Sequence, residues 1–110
     1  MLPKSNRINS SIIFKEILQR GQRKEHSYFR VLFLKNNLKK SRFAVIVSSK
    51  NYRLAVKRNL IKRRVKNILR ELINSLPKGF DVLVYIKKGC LDLSFQELQT
   101  QLKEFLLRIL

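Results

Sequence analysis

The fold is decided by residues 54–76, which read LAVKRNLIKRRVKNILRELINSL. Apolar side chains recur through this segment at three- and four-residue spacing or its multiples. They are Leu54, Ile61, Val65, Ile68, Leu69, Leu72 and Leu76. This spacing puts them on one side of an α-helix, so the segment predicts a long amphipathic helix of roughly twenty residues. We expect Pro77 to end it, because the residue before a proline resists the helical region.

The residues upstream predict one short helix and two strands. Ser10 or Ser11 can cap a helix that Gly21 ends. One strand is expected from Arg23 to Lys35 and a second from Arg42 to Ser48. The segment between them is typical of a turn because of its polar residues, Asn36, Asn37, Lys39, Lys40 and Ser41, so the two strands are expected to form a hairpin. Alternation places Phe29, Val31 and Phe33 on one side of the first strand and Tyr28, Arg30 and Leu32 on the other.

The residues downstream predict one more strand and one more helix. The compact apolar stretch from Phe80 to Ile86 is typical of a largely buried strand. Ser94 and Glu97 have the spacing of a capping box, which begins the last helix. Its buried residues are expected to be Phe95, Leu98, Leu102, Phe105 and Ile109. Residues 1–110 therefore predict a single domain, an α/β sandwich.

Positive charge dominates the composition. The 110 residues include 25 Lys and Arg against seven Asp and Glu, which gives a formal net charge of +18. A folded domain tolerates this self-repulsion more easily when a polyanion neutralises it. Nucleic acid is therefore the first partner to consider.

The predicted helix carries much of this charge. Between Lys50 and Arg70 there are nine basic residues and no acidic one. A turn of about 100° per residue aligns one set of polar and basic side chains along one edge of the helix, beside the apolar side. This basic stripe consists of Asn59, Lys62, Arg63, Lys66 and Arg70. Lys57 and Arg64 fall on the opposite flank, and Arg58 points close to the apolar sector.

A series of like charges four residues apart runs along this helix, at Arg58, Lys62, Lys66 and Arg70. Like charges at this spacing destabilise a free helix. An anionic partner explains them better than helix stability does, so we interpret the helix as a nucleic-acid-binding surface.

Several other classes of function find no support in the sequence. The longest uninterrupted apolar runs have five residues, far fewer than the ~20 that span a bilayer. His26 and Cys90 are the only residues of their types, so neither an internal disulfide nor a cysteine-based zinc cluster is expected. No catalytic set, metal-ligand spacing or glycine-rich phosphate loop is apparent. The first residues do not resemble a signal peptide, and we expect a cytoplasmic protein.

The basic helix also resembles the signature segment of the bacterial ribonuclease P protein family. Residues 55–66 read AVKRNLIKRRVK, and the family pattern runs Ala-Val-x-Arg-Asn-Arg-x-Lys-Arg followed by further basic residues. Two positions depart from it. Leu60 stands where the family usually has arginine, and Arg53-Leu54 stands where Gly-Asn commonly precedes Ala-Val.

The resemblance implies a two-layer sandwich with a four-stranded sheet, similar to the second domain of a small-subunit ribosomal protein. It implies a left-handed βαβ crossover, although general statistics favour right-handed ones. It also implies a monomer that binds ribonuclease P RNA and assists it in maturing the 5′ end of tRNA. Cleavage is then assigned to the RNA and its Mg²⁺ ions, with neither a catalytic residue nor a cofactor on the protein alone.

Two surfaces follow for this chain. The charge pattern and the resemblance together predict RNA contacts at Lys57, Arg58, Asn59, Lys62, Arg63, Arg64, Lys66 and Arg70. The resemblance further implies a cleft for the single-stranded 5′ leader of precursor tRNA. By position, that cleft involves Phe14, Leu18, Tyr28, Arg30 and Leu32, with Ser48 and Lys50 at its edge. The sequence alone favours a buried core over a cleft for Phe14 and Leu18, because an apolar helical side is ordinarily covered.

Two alternative functions share parts of this pattern. A structural RNA-binding protein of ribosomal type has the same charge and fold, and differs in leaving precursor-tRNA cleavage unchanged. A basic membrane-active protein could use the long helix, but that helix needs its apolar side to cover the sheet.

Overall fold

The computed structural model describes residues 2–110, which form three α-helices and one four-stranded sheet. Short 3₁₀ turns also occur at Lys4–Asn6 and Cys90–Asp92. The elements in chain order are α1 (Ser11–Arg20), β1 (Gln22–Glu25), β2 (Phe29–Lys35), β3 (Arg42–Ile46), α2 (Ala55–Leu72), β4 (Phe80–Ile86) and α3 (Phe95–Ile109). The predicted α/β sandwich with a four-stranded sheet is confirmed.

The order of the strands in the sheet differs from the sequence prediction. The order is β1-β2-β4-β3, so β4 lies between β2 and β3 and the predicted hairpin between those two strands is wrong. β4 pairs antiparallel with β2 and parallel with β3. β4 is the most continuously apolar strand, and its central position buries it on both faces of the sheet.

The predicted strand from Arg23 to Lys35 is in fact two strands. The chain turns at residues 26–28, where the His26 backbone N–H donates to the Phe29 carbonyl at 2.8 Å. β1 and β2 therefore form the hairpin of this fold. Tyr28 lies in the turn, outside the alternation of β2, and packs against the main core with Phe29. The predicted placement of Tyr28 on the same side as Arg30 is wrong.

The main core lies between one face of the sheet and the helices α2 and α3. Phe29, Val31 and Phe33 of β2 face it, as predicted, together with Val82 and the other inward residues of β4. The helices contribute Ile61, Val65, Ile68, Leu69, Leu98, Leu102, Phe105 and Leu106. Two residues predicted to be buried are less so: Phe95 is exposed and Ile109 is half-buried.

Both ends of α1 and the start of α3 follow the local sequence signals, whereas the end of α2 does not. The Ser10 hydroxyl accepts a hydrogen bond from the Ile13 backbone N–H, and the capping box of Ser94 and Glu97 is complete. At Gly21, a Cβ would lie only 2.5 Å from the Ile17 carbonyl oxygen, so glycine permits the close approach that ends α1. α2 ends at Leu72, earlier than predicted, and residues up to the buried Leu76 form a turn.

Candidate nucleic-acid interface

The basic stripe of α2 faces solvent. Its side chains are exposed or half-buried, whereas the apolar side of the same helix is buried in the main core at Ile61, Val65, Ile68, Leu69 and Leu72. Leu54 was predicted to belong to this side, but it is 61% exposed where the helix begins. A shallow hollow of about 260 Å³ runs along the stripe and is lined by Asn59, Lys62, Arg63, Lys66 and Asn67. Four of the five predicted stripe residues therefore line one continuous surface, and Arg70 continues it one turn further on.

The cations of α2 have no acidic partner within residues 2–110. The ion pairs in this part of the chain join Arg20 to Glu16, Arg42 to Asp81, and Arg23, Arg30 and Lys87 to Glu25. The acid of α2, Glu71, accepts a hydrogen bond from Gln99 of α3 at 2.8 Å. The positive field of the stripe is therefore uncompensated, as expected for a surface that binds a polyanion.

The opposite flank of α2 carries further cations. Lys57 borders a second hollow, of about 390 Å³, with Arg53 and Lys88, and Arg64 is half-buried one to two turns along. Leu60 also lies on this side, roughly 110° around the helix from the middle of the stripe. The departure from the family pattern at position 60 therefore leaves the stripe intact.

Arg58 has a structural role at the start of α2. Its Nη1 donates hydrogen bonds to the carbonyls of Tyr52 and Arg53, at 2.7 and 2.9 Å. These carbonyls belong to the turn that leads into the helix. RNA contact by Arg58 stays a prediction, but this nitrogen is already bound to the protein.

Arg58→Ala is expected to lower the free energy of unfolding by about 1–2 kcal/mol, because two hydrogen bonds from a charged donor are lost. Urea unfolding measures this. Arg64→Ala is the matched control, since Arg64 is also half-buried but has no hydrogen-bond partner within residues 2–110. If Arg58→Ala is as stable as the wild type and its RNA affinity depends less on salt, the structural role is contradicted and RNA contact by Arg58 is favoured.

A cleft lies on the other face of the sheet. α1 packs there against β2 and β4 and buries Ile17 with Leu32 and Leu83. It covers only one end of this face. Strand pairing places Glu25, Arg30, Tyr85 and Ile46 side by side in one row across the sheet, beyond the part that α1 covers. This row forms the floor of the cleft.

The residues predicted for the cleft have different environments. Phe14 is half-buried where α1 meets the sheet, and Leu18, one turn along, is 48% exposed. Leu32 is only 8% exposed, so it supports α1 more than it lines open space. Arg30 lies on the floor. Tyr28 packs on the opposite side of the sheet, and the structure does not bring it together with Arg30.

The far end of the cleft is a hollow of about 180 Å³. Ser48 lines it, and the exposed Lys50 lies in the turn that follows. This hollow is also lined by Tyr85, Lys87 and Ile46, which were not predicted from the sequence. Alternation within β4 could have shown that Tyr85 faces away from Val84, but only the pairing of β4 with β2 places it beside Arg30.

Glu25 binds the cations at this end of the cleft. Its Oε1 accepts hydrogen bonds from Nε of Arg30 at 2.7 Å and Nε of Arg23 at 2.9 Å. Its Oε2 lies 2.7 Å from Nζ of Lys87. The bond from Lys87, followed by those from Arg30 and Arg23, lowers the pKa of Glu25 to about 2 against an opposing effect of burial. Glu25 is therefore ionised at any pH at which the protein works.

Residues 2–110 contain neither a helix that could cross a membrane nor a cluster of side chains that could hold a metal ion. None of their helices has both the length and the apolar character needed to cross a membrane. Their His, Cys, Asp and Glu side chains form no group of three or more that could hold a metal ion. Cys90 is buried, and burial raises the pKa of its thiol to about 11.

Known proteins resemble this chain over nearly its whole length. A sequence model of the family described as Ribonuclease P matches residues 2–110. The Ribonuclease P protein component of Mycoplasma genitalium is 36% identical over 106 residues, which cover 96% of this chain and 82% of the relative. The solved RNase P protein from Thermotoga maritima superposes with a TM-score of 0.85 at 32% identity, covering 94% of this chain and 97% of that one. For the RNase P protein of Staphylococcus aureus, the TM-score is 0.80 at 27% identity, over 96% and 95% of the two chains.

Proposed function

The chain belongs to the ribonuclease P protein family, and from this membership we propose that it binds ribonuclease P RNA and the 5′ leader of precursor tRNA. The observation that carries the proposal is the stripe of unpaired cations on α2. A surface of this kind neutralises phosphates and releases their counterions, which supplies most of the affinity for a nucleic acid.

The cleft provides the second RNA-binding surface of this proposal. An aromatic ring, Tyr85, lies beside a guanidinium, Arg30, on an open floor. Bases of a single strand stack on aromatic rings while cations follow the backbone, largely without regard to sequence. Such a floor suits leaders of different sequence. The cleft and the stripe lie on opposite sides of the sheet, so leader and catalytic RNA do not compete for one surface.

The protein's role in this proposal is positioning and charge neutralisation. Phosphodiester cleavage belongs to the RNA and the Mg²⁺ ions that the RNA binds. The protein acts as a monomer within the ribonucleoprotein, in the cytoplasm.

A cleavage assay tests the proposal. Purified chain is added to ribonuclease P RNA and precursor tRNA at low Mg²⁺ concentration, where phosphate repulsion is least screened. The rate of 5′ maturation should rise with protein concentration and saturate at one protein per RNA. RNA binding without any rise in the rate would favour a structural RNA-binding protein instead.

Arg30→Ala tests the cleft. The affinity of the assembled ribonucleoprotein for precursor tRNA should fall about fourfold at ~0.15 M salt, as expected for one lost contact between a cation and a single strand. Its affinity for mature tRNA, which lacks the leader, should hardly change. Arg20→Ala is the control, because Arg20 is also an exposed arginine paired with one glutamate, but on α1. Equal losses for the two RNAs would exclude Arg30 from a leader-binding surface.

A further inference from the structure

The carboxylate of Glu25 is paired with both cations that line the hollow at the end of the cleft. Arg30 and Lys87 line this hollow, and each is bound to Glu25 at 2.7 Å. Arg23, in the next row of the sheet, binds the same carboxylate. An RNA phosphate that approaches these cations therefore meets donors that already have an anionic partner.

The contacts of Glu25 match those that a phosphodiester can make. A phosphodiester group has two non-bridging oxygens that share one negative charge, and arginine and lysine bind such oxygens as they bind carboxylates. In Glu25, one oxygen accepts from two guanidinium groups and the other pairs with an ammonium group. The side chain is 45% exposed on the edge strand β1, so it can move into solvent when another anion replaces it.

We propose that Glu25 takes the place of an RNA phosphate in the free protein, and that leader binding exchanges this carboxylate for a phosphate. The proposal rests on the assignment of the cleft to the leader. Exposed ion pairs are weak, so a single-stranded RNA that also stacks a base on Tyr85 displaces the Glu25 carboxylate. An isolated anion has no base to stack and gains little by displacing it. Glu25 thereby makes the cleft selective for single-stranded RNA over small anions.

The opposite role for Glu25 predicts the opposite sign. If the carboxylate instead held Arg30 and Lys87 in the position that RNA needs, its removal would weaken leader binding. The low pKa of Glu25 means that pH cannot separate the two roles, because the group stays ionised throughout. A neutral substitution can separate them.

The experiment compares Glu25→Gln with the wild type in the ribonucleoprotein assembled with ribonuclease P RNA. The readout is the ratio of the dissociation constants for mature and precursor tRNA, which isolates the leader. Glu25→Gln and Glu25→Ala should each raise this ratio about threefold to tenfold, the range that two or three exposed ion pairs supply. An unchanged or lower ratio in folded variants overturns the proposal.

Glu16→Gln controls for net charge. It removes the same charge from another exposed glutamate that is paired with an arginine, on α1, and should leave the ratio unchanged. An equal rise in this variant would assign the effect to net charge and overturn the proposal. Circular dichroism checks the fold of each variant, and the exposure of Glu25 makes unfolding unexpected.

Arg30→Ala distinguishes the failure of this proposal from failure of the proposed function. If Arg30→Ala lowers the ratio while Glu25→Gln does not raise it, the cleft binds the leader but Glu25 does not occupy the place of a phosphate. If neither variant changes the ratio, the assignment of the cleft itself is wrong.

Discussion

Replacing Lys62, Arg63 and Lys66 together with alanine is expected to lower the affinity for ribonuclease P RNA about a hundredfold at ~0.15 M salt. For each phosphate contact, the logarithm of the affinity falls by about 0.7–0.9 for every tenfold rise in salt concentration. Conversely, each contact strengthens binding at salt concentrations below about 1 M. Three contacts then contribute about two orders of magnitude. The three side chains line one hollow outside the apolar side of α2, so the fold should survive their loss.

The dependence of affinity on salt gives a second measure of the same variant. If about five cations of α2 touch phosphates, the wild-type chain should show a slope of roughly −3.5 to −4.5 in a plot of log affinity against log salt. The triple variant should be shallower by about 2 to 3. Filter binding or fluorescence anisotropy at several salt concentrations provides both slopes.

A matched triple variant controls for net charge. Lys15, Lys78 and Lys103 are exposed lysines in different parts of the fold, and none takes part in an ion pair within residues 2–110. Their replacement with alanine removes the same charge without removing one surface, and should cost far less affinity. Equal losses in the two variants, or a wild-type slope near zero, would mean that α2 is not the surface that binds RNA.

The basic stripe could be predicted from the sequence because helix geometry is local. A rotation of 100° per residue places Lys62, Arg63 and Lys66 relative to Ile61 and Val65 without knowledge of any other segment. The caps at Ser10 and Ser94 are equally local, since each hydroxyl bonds to a backbone N–H three residues away. The predicted end of α2 was four residues too late. After Leu72, the Ser75 backbone N–H donates to the Leu72 carbonyl three residues back, at 2.8 Å, so the chain leaves the α-helix before it reaches Pro77.

The strand order could not be predicted, because it depends on contacts between distant segments. A polar loop between two strands favours a hairpin, but the burial that β4 gains in the centre of the sheet outweighs that local preference. The floor of the cleft depends on this order. Tyr85 lies beside Arg30, 55 positions away in the chain, only because β4 pairs with β2 in this register.

Glu25 was missed for a related reason. In the sequence it stands among Arg23, Lys24 and His26, which is typical of a solvated strand end. Its significance comes from Lys87, which follows β4 and approaches Glu25 only after the hairpin of β1 and β2 pairs with that strand.

Asp81→Ala is expected to lower the free energy of unfolding by about 3 kcal/mol, the low end of the range for breaking a buried ion pair. Its carboxylate accepts two hydrogen bonds from the Arg42 guanidinium at 2.7 Å and one from the Asn36 amide at 2.9 Å. The side chain of Asp81 is 8% exposed and that of Arg42 is 22% exposed, so solvent compensates only part of the loss. Urea unfolding followed by circular dichroism measures the change.

The large effect follows from the position of this pair at the junction of three segments. Asp81 is the second residue of β4, Arg42 begins β3, and Asn36 lies in the loop after β2. One carboxylate therefore links the strands whose order the sequence does not reveal. Asp92→Ala, at an exposed carboxylate without an ion pair in residues 2–110, should change stability by less than about 0.5 kcal/mol.

Adding Arg42→Ala to Asp81→Ala should cost less than the sum of the two single changes, because the second substitution removes the charge that the first leaves unpaired. Strict additivity, or a loss below about 1 kcal/mol for Asp81→Ala, would show that the parallel pairing of β3 with β4 is held by the apolar core alone.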